Sequence, residues 1–355
     1  MNCCSSSFHS LVSGLSEKEW VEKIFAKWKS AGKPVSPKEE WGEWQPGDLL
    51  PTQVGATLVF NDDHVGYYDR SQEGDVLVCE APSFVGALNT FRSYNAELVG
   101  VPVDPDGMNM EALEKVLDEN PRAKMIYTIT NFQNPSGVTM SLEKKKRLYE
   151  LAKAHNCLII EDNPYGDLRY YGENVPAIKS FDTDGIVIYS GSFSKVLSPG
   201  IRVGYMMANK KAMAKMIICK QGQDVHTTMW SQLLCYEFMT KYDFEGHLEY
   251  LRDLYRKKAD LCMSLLDEYV VPNGITYNKI EGGLFIWCDL PEDVDMLDFC
   301  KKLTERKVCV VPGNAFLTDS DMECHSFRIN FSTPTDEDLT KGIKIIGELA
   351  KEIIG

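Results

Sequence analysis

Residues 124–162 read KMIYTITNFQNPSGVTMSLEKKKRLYELAKAHNCLIIED. Met125–Thr130 is a short apolar run with β-branched and aromatic side chains. Leu142–His155 mixes apolar and charged residues as a helix does, and Cys157–Asp162 is a second apolar run. Strand, helix and strand in that order make a βαβ unit, the building block of a mostly parallel sheet with crossover helices. Gly185–Ser190 and Arg202–Ala208 read as further strands, separated by a Ser/Pro/Gly loop that contains Lys195. The polar loops thus follow strand ends, and the carboxyl ends of strands in an open α/β sheet are where ligands bind.

Downstream the texture changes. Glu245–Tyr269 reads as one long helix, able to bridge two lobes. Beyond it, Ile275–Tyr277, Leu284–Leu290, Val308–Val311 and Phe327–Phe331 are strand candidates, and Met296–Arg306 and Leu339–Ile354 are helices. In the last, Leu339, Ile343, Ile346, Leu349 and Ile353 recur at helical spacing, after a capping-box-like start at Thr335 and Asp338. The expected fold class is α/β: a large domain with a mostly parallel sheet, plus a smaller α+β C-terminal domain. We divide the 355 residues into a divergent segment 1–73, a large domain 74–244, and a bridging helix with small domain 245–355. No internal repeat is found.

Composition narrows the function classes. A net charge of −14 argues against binding a nucleic-acid backbone, which needs clustered Lys and Arg. Eleven cysteines without paired CxxC spacing read as reduced thiols of a cytosolic protein. Cys3–Cys4 lacks His or Cys partners at ligand spacing, so no metal site is expected. No apolar run approaches the roughly 20 residues that a membrane helix requires, and Met1–Leu15 lacks a basic leader. The expectation is a cytoplasmic protein with neither membrane nor nucleic-acid partner.

Four local features carry possible chemistry. In Ser192-Phe-Ser-Lys195, followed by Pro199-Gly-Ile-Arg202, the lysine can supply an amine nucleophile, and the hydroxyls with Arg202 can hold a phosphate. The segment reads equally as a solvated loop. In Ile159-Ile-Glu-Asp162-Asn-Pro-Tyr165, an aspartate closing an apolar strand can face a protonated ring nitrogen, or simply cap a turn. Asn134, in Asn131-Phe-Gln-Asn-Pro-Ser-Gly137, can donate to a phenolic oxygen, or be an ordinary Asn-Pro turn. Arg328, within Phe327-Arg-Ile-Asn-Phe331, either pairs with a carboxylate of the protein or receives one from a substrate.

Taken together, Asn134-Pro-x-Gly, Asp162-x-x-Tyr165, Ser192-x-Ser194-Lys195 with Arg202, and Arg328 resemble the fold-type I aminotransferases, in the branch of 2-aminoadipate, kynurenine and aromatic aminotransferases. The match runs from about Gly74 to Gly355. The resemblance implies an aspartate aminotransferase-like fold and pyridoxal 5′-phosphate, held as a Schiff base on Lys195. It implies transfer of an amino group from an aromatic or 2-aminoadipate-like amino acid to a 2-oxo acid, with Lys195, Tyr165 and Asp162 catalytic. Asp162 would meet the pyridine nitrogen, Asn134 and Tyr165 the phenolic oxygen, and Ser192, Ser194 and Arg202 the phosphate. Arg328, with Asn134, would take the substrate α-carboxylate, and Phe84 in Cys79-Glu-Ala-Pro-Ser-Phe84 would stack on the ring. Glu281-Gly-Gly-Leu-Phe285 resembles the small-domain Gly-Gly strand, and a homodimer with shared sites is implied.

Residues 1–73 depart from that pattern. They lack the Gly-Ser/Thr-Gln phosphate loop and the Gly-rich, Phe-Pro segment; Thr52-Gln-Val-Gly55 is the nearest substitute for the loop. Gly66–Gln72 resembles the piece that reaches across the dimer, followed by a missing block. Since helix-N-terminal amides are a large part of an anion site, the loss leaves open a catalytically impaired relative acting as a binding protein. A lyase on the same scaffold is also open. A transcription regulator is disfavoured, because no basic helix-turn-helix segment precedes the match.

Overall fold

The structure is a computed structural model that describes residues 75–319 and 322–355. The expectations for residues 1–73, including residues 3–4, 52–55 and 66–72, lie outside the described residues.

The first part of the chain alternates strands and helices: β1 (Val76–Ala81), α1 (Val85–Ser93), β2 (Glu97–Asp104), β3 (Gly107–Met108), α2 (Met110–Glu119), β4 (Ala123–Thr128), α3 (Leu142–Ala154), β5 (Leu158–Asp162), β6 (Val187–Ser192) and β7 (Gly204–Met207). They form one seven-stranded sheet in the order β3-β2-β1-β4-β5-β6-β7. The five central strands are parallel, and the edge strands β3 and β7 run antiparallel. Strand β5 is buried along its whole length, as expected when helices cover both faces of a sheet. Alternation divides these side chains between two cores. Leu77, Cys79, Met125, Tyr127, Leu158 and Ile160 join one cluster, while Val76, Val78, Ile126 and Ile159 join the other with α2 and α3. Helix starts are fixed locally: Asn109 and Ser141 accept the amides of Ala112 and Lys144 three residues on.

Chain order and sheet order part company at one place. From β1 the chain moves outward to β2 and β3, then returns to lay β4 against the other side of β1 before continuing to β5 and β6. The crevice at the carboxyl ends of β1 and β4 is therefore the topological switch point, the favoured ligand position in such sheets.

Helices α4 (Lys210–Gln223) and α5 (Met229–Lys241) lead into α6 (Phe244–Tyr269), whose 26 residues span about 39 Å at 1.5 Å per residue. The remainder holds β8 (Thr276–Tyr277), β9 (Phe285–Asp289), α7 (Met296–Glu305), β10 (Val311–Pro312), β11 (Ser326–Asn330) and α8 (Asp336–Ile353). The strands form a four-stranded antiparallel sheet in the order β10-β11-β9-β8. Helix α8 packs on α6. Its start is the expected box: Thr335 Oγ1 accepts the Asp338 amide at 3.1 Å and donates to the Asp338 carboxylate at 2.8 Å.

Three expectations shift. The strand placed at 185–190 begins at Val187 and reaches Ser192, because Gly185 sits at φ +71° in the preceding turn. The strand placed at 308–311 reduces to Val311–Pro312, because Val308 gives its amide to Leu303 in closing α7 and Lys307 turns at φ +64°. Of the α8 stripe, Leu339, Ile343, Ile346 and Leu349 are buried but Ile353 is 37% exposed.

Candidate active site

Each site loop continues a strand of the switch-point crevice. Phe84 follows β1, Asn134 follows β4, Asp162 closes β5 with Tyr165 after it, and Ser192–Lys195 leaves β6. The small sheet contributes Arg328 from β11 and Phe285 from β9. All nine side chains singled out in the sequence line one cavity of about 440 Å³, a size typical of small-molecule sites. The resemblance thus brought together residues up to 244 positions apart in the chain, from Phe84 to Arg328.

The aspartate end is dry. Asp162 is buried; its Oδ2 accepts the Tyr127 hydroxyl at 2.8 Å, while its Oδ1, equally buried, has no hydrogen-bond partner. Loss of solvent pushes this carboxyl up to about 6, against the lowering effect of the Tyr127 and Ser190 hydroxyls. An orphaned, buried acceptor on a residue that lines a cavity can be met by a donor from a ligand. A protonated ring nitrogen is such a donor.

Across the cavity, Lys195 is half-buried, with Nζ 5.9 Å from the centre of the Tyr165 ring. Its amine is pushed down from the ordinary lysine value, first by burial and then by the positive charges of Arg328 and Arg202. Both effects favour the neutral amine, the form that can act as a nucleophile. Ser192 Oγ accepts the Ser194 amide at 3.0 Å, which sets the first turn of this loop. Arg202 stands in the left-handed region at φ +54°, its guanidinium donating to the Pro199 carbonyl at 3.1 Å while still exposed to the cavity mouth.

Between these ends, Asn134 is buried and uses both halves of its amide. Its Nδ2 approaches the Tyr165 hydroxyl at 3.4 Å, and its Oδ1 accepts Nη1 of Arg328 at 2.7 Å. The Arg328 guanidinium lies 4.0 Å from the centre of the Phe285 ring and 4.9 Å from that of Phe316. Among the described residues no carboxylate pairs with it, and its buried Nε has no partner. Phe84 covers the crevice from the β1 side, and a methyl at Gly86 would stand 2.6 Å from its Cζ, so the bare glycine lets the ring fold down.

Sequence reasoning missed Tyr127, Ser190 and Phe285, which line the same cavity. Tyr127 and Ser190 sit within apolar strand runs, and Phe285 opens β9; only the order of neighbouring strands shows which of them face the cavity. The Gly-Gly pair works as a contact point between the two sheets. Gly283, at φ +77°, has its carbonyl taken by the Tyr170 hydroxyl, and a methyl there would lie 2.6 Å from Cβ of Phe132.

A mostly parallel sheet with helices, a smaller antiparallel sheet, and a cavity at the switch point that holds Lys195 and Asp162 define the α/β fold of the aspartate aminotransferase type. The chain belongs to the aminotransferase class I and II family, whose sequence pattern matches residues 70–346, and it is an aminotransferase. It is 40% identical to aromatic-amino-acid aminotransferase 1 of Thermococcus litoralis over 79% of this chain and 67% of that protein. It is 35% identical to 2-aminoadipate transaminase of Thermus thermophilus, over 79% and 71%. The crystal structure of Pyrococcus horikoshii kynurenine aminotransferase superimposes with a TM-score of 0.79 at 31% identity, covering 95% of this chain and 87% of that one. The reading of the chain as a non-catalytic binding protein is not favoured by these relatives.

Proposed function

We propose that the chain moves an amino group from an aromatic or 2-aminoadipate-like α-amino acid to a 2-oxo acid, with pyridoxal 5′-phosphate in this cavity attached to Lys195. The observation that carries the reading is Asp162, a buried carboxylate with one free oxygen across the cavity from a lysine of lowered basicity. When bound, the cofactor supplies an electron sink for charge developing at the substrate α-carbon. Asp162 Oδ1 would hold the proton on the ring nitrogen, with Tyr127 holding Oδ2 in place. Asn134 Nδ2 and the Tyr165 hydroxyl would donate to the phenolic oxygen, and Phe84 would lie on the ring face. Ser192, Ser194 and Arg202 would receive the phosphate. Arg328 would grip the substrate α-carboxylate, which orients the α-hydrogen towards Lys195; once the substrate amine has displaced Lys195 from the cofactor, its freed Nζ would take that proton from the α-carbon and deliver it to the cofactor.

In this reading residues 74–244 form the cofactor-binding lobe and 245–355 the bridging helix and small lobe, with 1–73 a divergent segment. The assembly is a homodimer, for which the exposed Ile218, Val225 and Trp230 offer an apolar surface. A cytoplasmic setting agrees with the free cysteines of the described residues and with the absence there of a helix long and apolar enough to cross a membrane.

The test is a titration of the purified chain with pyridoxal 5′-phosphate, followed by absorbance, with a panel of amino donors and 2-oxoglutarate as acceptor. Covalent attachment of the cofactor in the wild type, lost in Lys195→Ala, is expected. No attachment, or attachment unchanged in that variant, would refute the site.

A further inference from the structure

One buried acid is used by none of the steps above. Glu80, near the carboxyl end of β1, is 1% exposed, and the hydrogen bonds its carboxylate receives come from β4 and the loop that follows β4. Thr128 Oγ1 donates to Oε1 at 2.7 Å; the Ile129 amide and Gln133 Nε2 each donate to Oε2 at 3.1 Å. Gln133 is equally committed. Its Nε2 also donates to the Pro82 carbonyl at 2.7 Å, and its Oε1 accepts both the amide and the hydroxyl of Ser136, at 2.8 and 2.7 Å. The carboxylate and the amide together tie the 131–137 turn to the end of β1, across the gap between the two strands of the switch point.

That turn needs holding. Phe132, a bulky residue, stands at φ +49°, a conformation that L side chains rarely adopt. The next residue but one is Asn134, whose two amide atoms meet Tyr165 and Arg328. A small rotation of the turn would withdraw Asn134 Oδ1 from the Arg328 guanidinium, and that guanidinium has no carboxylate of the protein to hold it among the described residues. Among the described residues, the titratable groups that feel Glu80 are Asp162, Tyr127 and Cys79, none of which neutralises it. A buried carboxylate is costly without full hydrogen bonding, so its presence here marks a demand for three aligned acceptor bonds rather than for stability.

We propose that Glu80 is a positioning residue for the substrate-carboxylate subsite, acting through Gln133 to hold Asn134 where it receives Arg328. This rests on the assignment of Arg328 to the α-carboxylate made above. Glu80 touches neither cofactor nor substrate, so its loss acts on binding of the carboxylate and leaves the phosphate end, on the β6 loop, untouched.

The experiment uses the full chain loaded with pyridoxal 5′-phosphate, and 3-phenylpropionate as probe, a carboxylate without an amino group. Its binding is read from the change in cofactor absorbance. Glu80→Gln keeps the shape but places an amide N–H against donors. It is expected to raise the probe Kd and the amino-donor KM together, about tenfold, with kcat changed less than about threefold and the cofactor Kd unchanged. Gln133→Met, which cuts the tie one link further along, is expected to give the same split, and decides the matter should Glu80→Gln fail to fold. Unaltered Kd and KM in folded variants would overturn the proposal. So would a parallel fall in Tm, cofactor affinity and kcat, which marks a merely structural role. If the wild type binds the probe but Arg328→Lys does not weaken it, the subsite assignment fails instead, and Glu80 falls with it.

Discussion

Asp162→Asn should make the cofactor-free protein more stable and the enzyme inactive, and the size of the gain can be worked from the cavity. Burial lifts the Asp162 carboxyl from its ordinary 3.8 to about 6. A carboxyl raised in the folded state contributes stability that is full below the unfolded value of 3.8 and is lost as pH rises through about 6. At about 1.4 kcal/mol per pH unit, the ionised group costs the fold about 3 kcal/mol at pH 8 relative to an exposed carboxylate. An asparagine pays no such cost and can still accept the Tyr127 hydroxyl; the stronger bond to a charged acceptor is already contained in that figure of about 3 kcal/mol, because the Tyr127 and Ser190 hydroxyls act against the rise. The net expectation is a gain of about 3 kcal/mol at pH 8, falling to about 1 kcal/mol at pH 4.5, where most of the cost has been relieved by protonation. Urea denaturation of cofactor-free wild type and variant at the two pH values measures it. Amino transfer falls in the same variant, because an amide cannot hold a ring nitrogen protonated. A gain that does not change with pH, or a loss at pH 8, would refute the account of Asp162 as a destabilising, ligand-directed carboxylate.

The other predictions touch three further positions. Tyr127→Phe removes one hydroxyl donor from Asp162, a bond of about 1.5 kcal/mol, so the acid limb of the rate against pH should move up by about one unit; an unmoved limb would assign the control of Asp162 elsewhere. Arg328→Lys loses the planar fork that meets Asn134 and the stacking on Phe285. The amino-donor KM should rise about 10- to 100-fold, while the weaker reaction of a primary amine lacking a carboxylate stays as it was. Gly283→Ala forces a side chain at φ +77° against Phe132, and thermal denaturation should show a loss of about 1–3 kcal/mol.

How much of this was legible before the structure depends on what each residue's signal is local to. Strands β4 and β5 were readable because sheet faces covered on both sides demand unbroken apolar runs, and α8 because its cap and stripe lie within one helix. Helix α1 was not: its N-cap position is Phe84, with no side-chain cap to announce a start. Helices α4 and α5 leave Ile218, Trp230 and Leu234 exposed, so their apolar residues make no stripe that marks a buried face. The site divides the same way. Asn134, Asp162, Ser192 and Lys195 lie at strand ends among turn-forming residues, where a polar side chain next to an apolar run is conspicuous.

Tyr127 and Glu80 are also near strand ends; Tyr127 reads as core, and Glu80 stands out in its apolar strand but nothing in that strand says what it would bind. Their meaning comes from the return of the chain that lays β4 against β1, and then β5 against β4. That order puts Tyr127 one strand from Asp162 and Glu80 one strand from the Asn134 turn. A βαβ reading fixes handedness and direction of successive strands but not which side of an earlier strand a later one will occupy. Roles that depend on contacts within a loop are therefore readable from sequence, and roles that depend on adjacency across the switch point are not. The residues that hold the site in shape belong mainly to the second kind, which is why the tie from Glu80 through Gln133 to Asn134 becomes visible only once β1 and β4 are seen side by side.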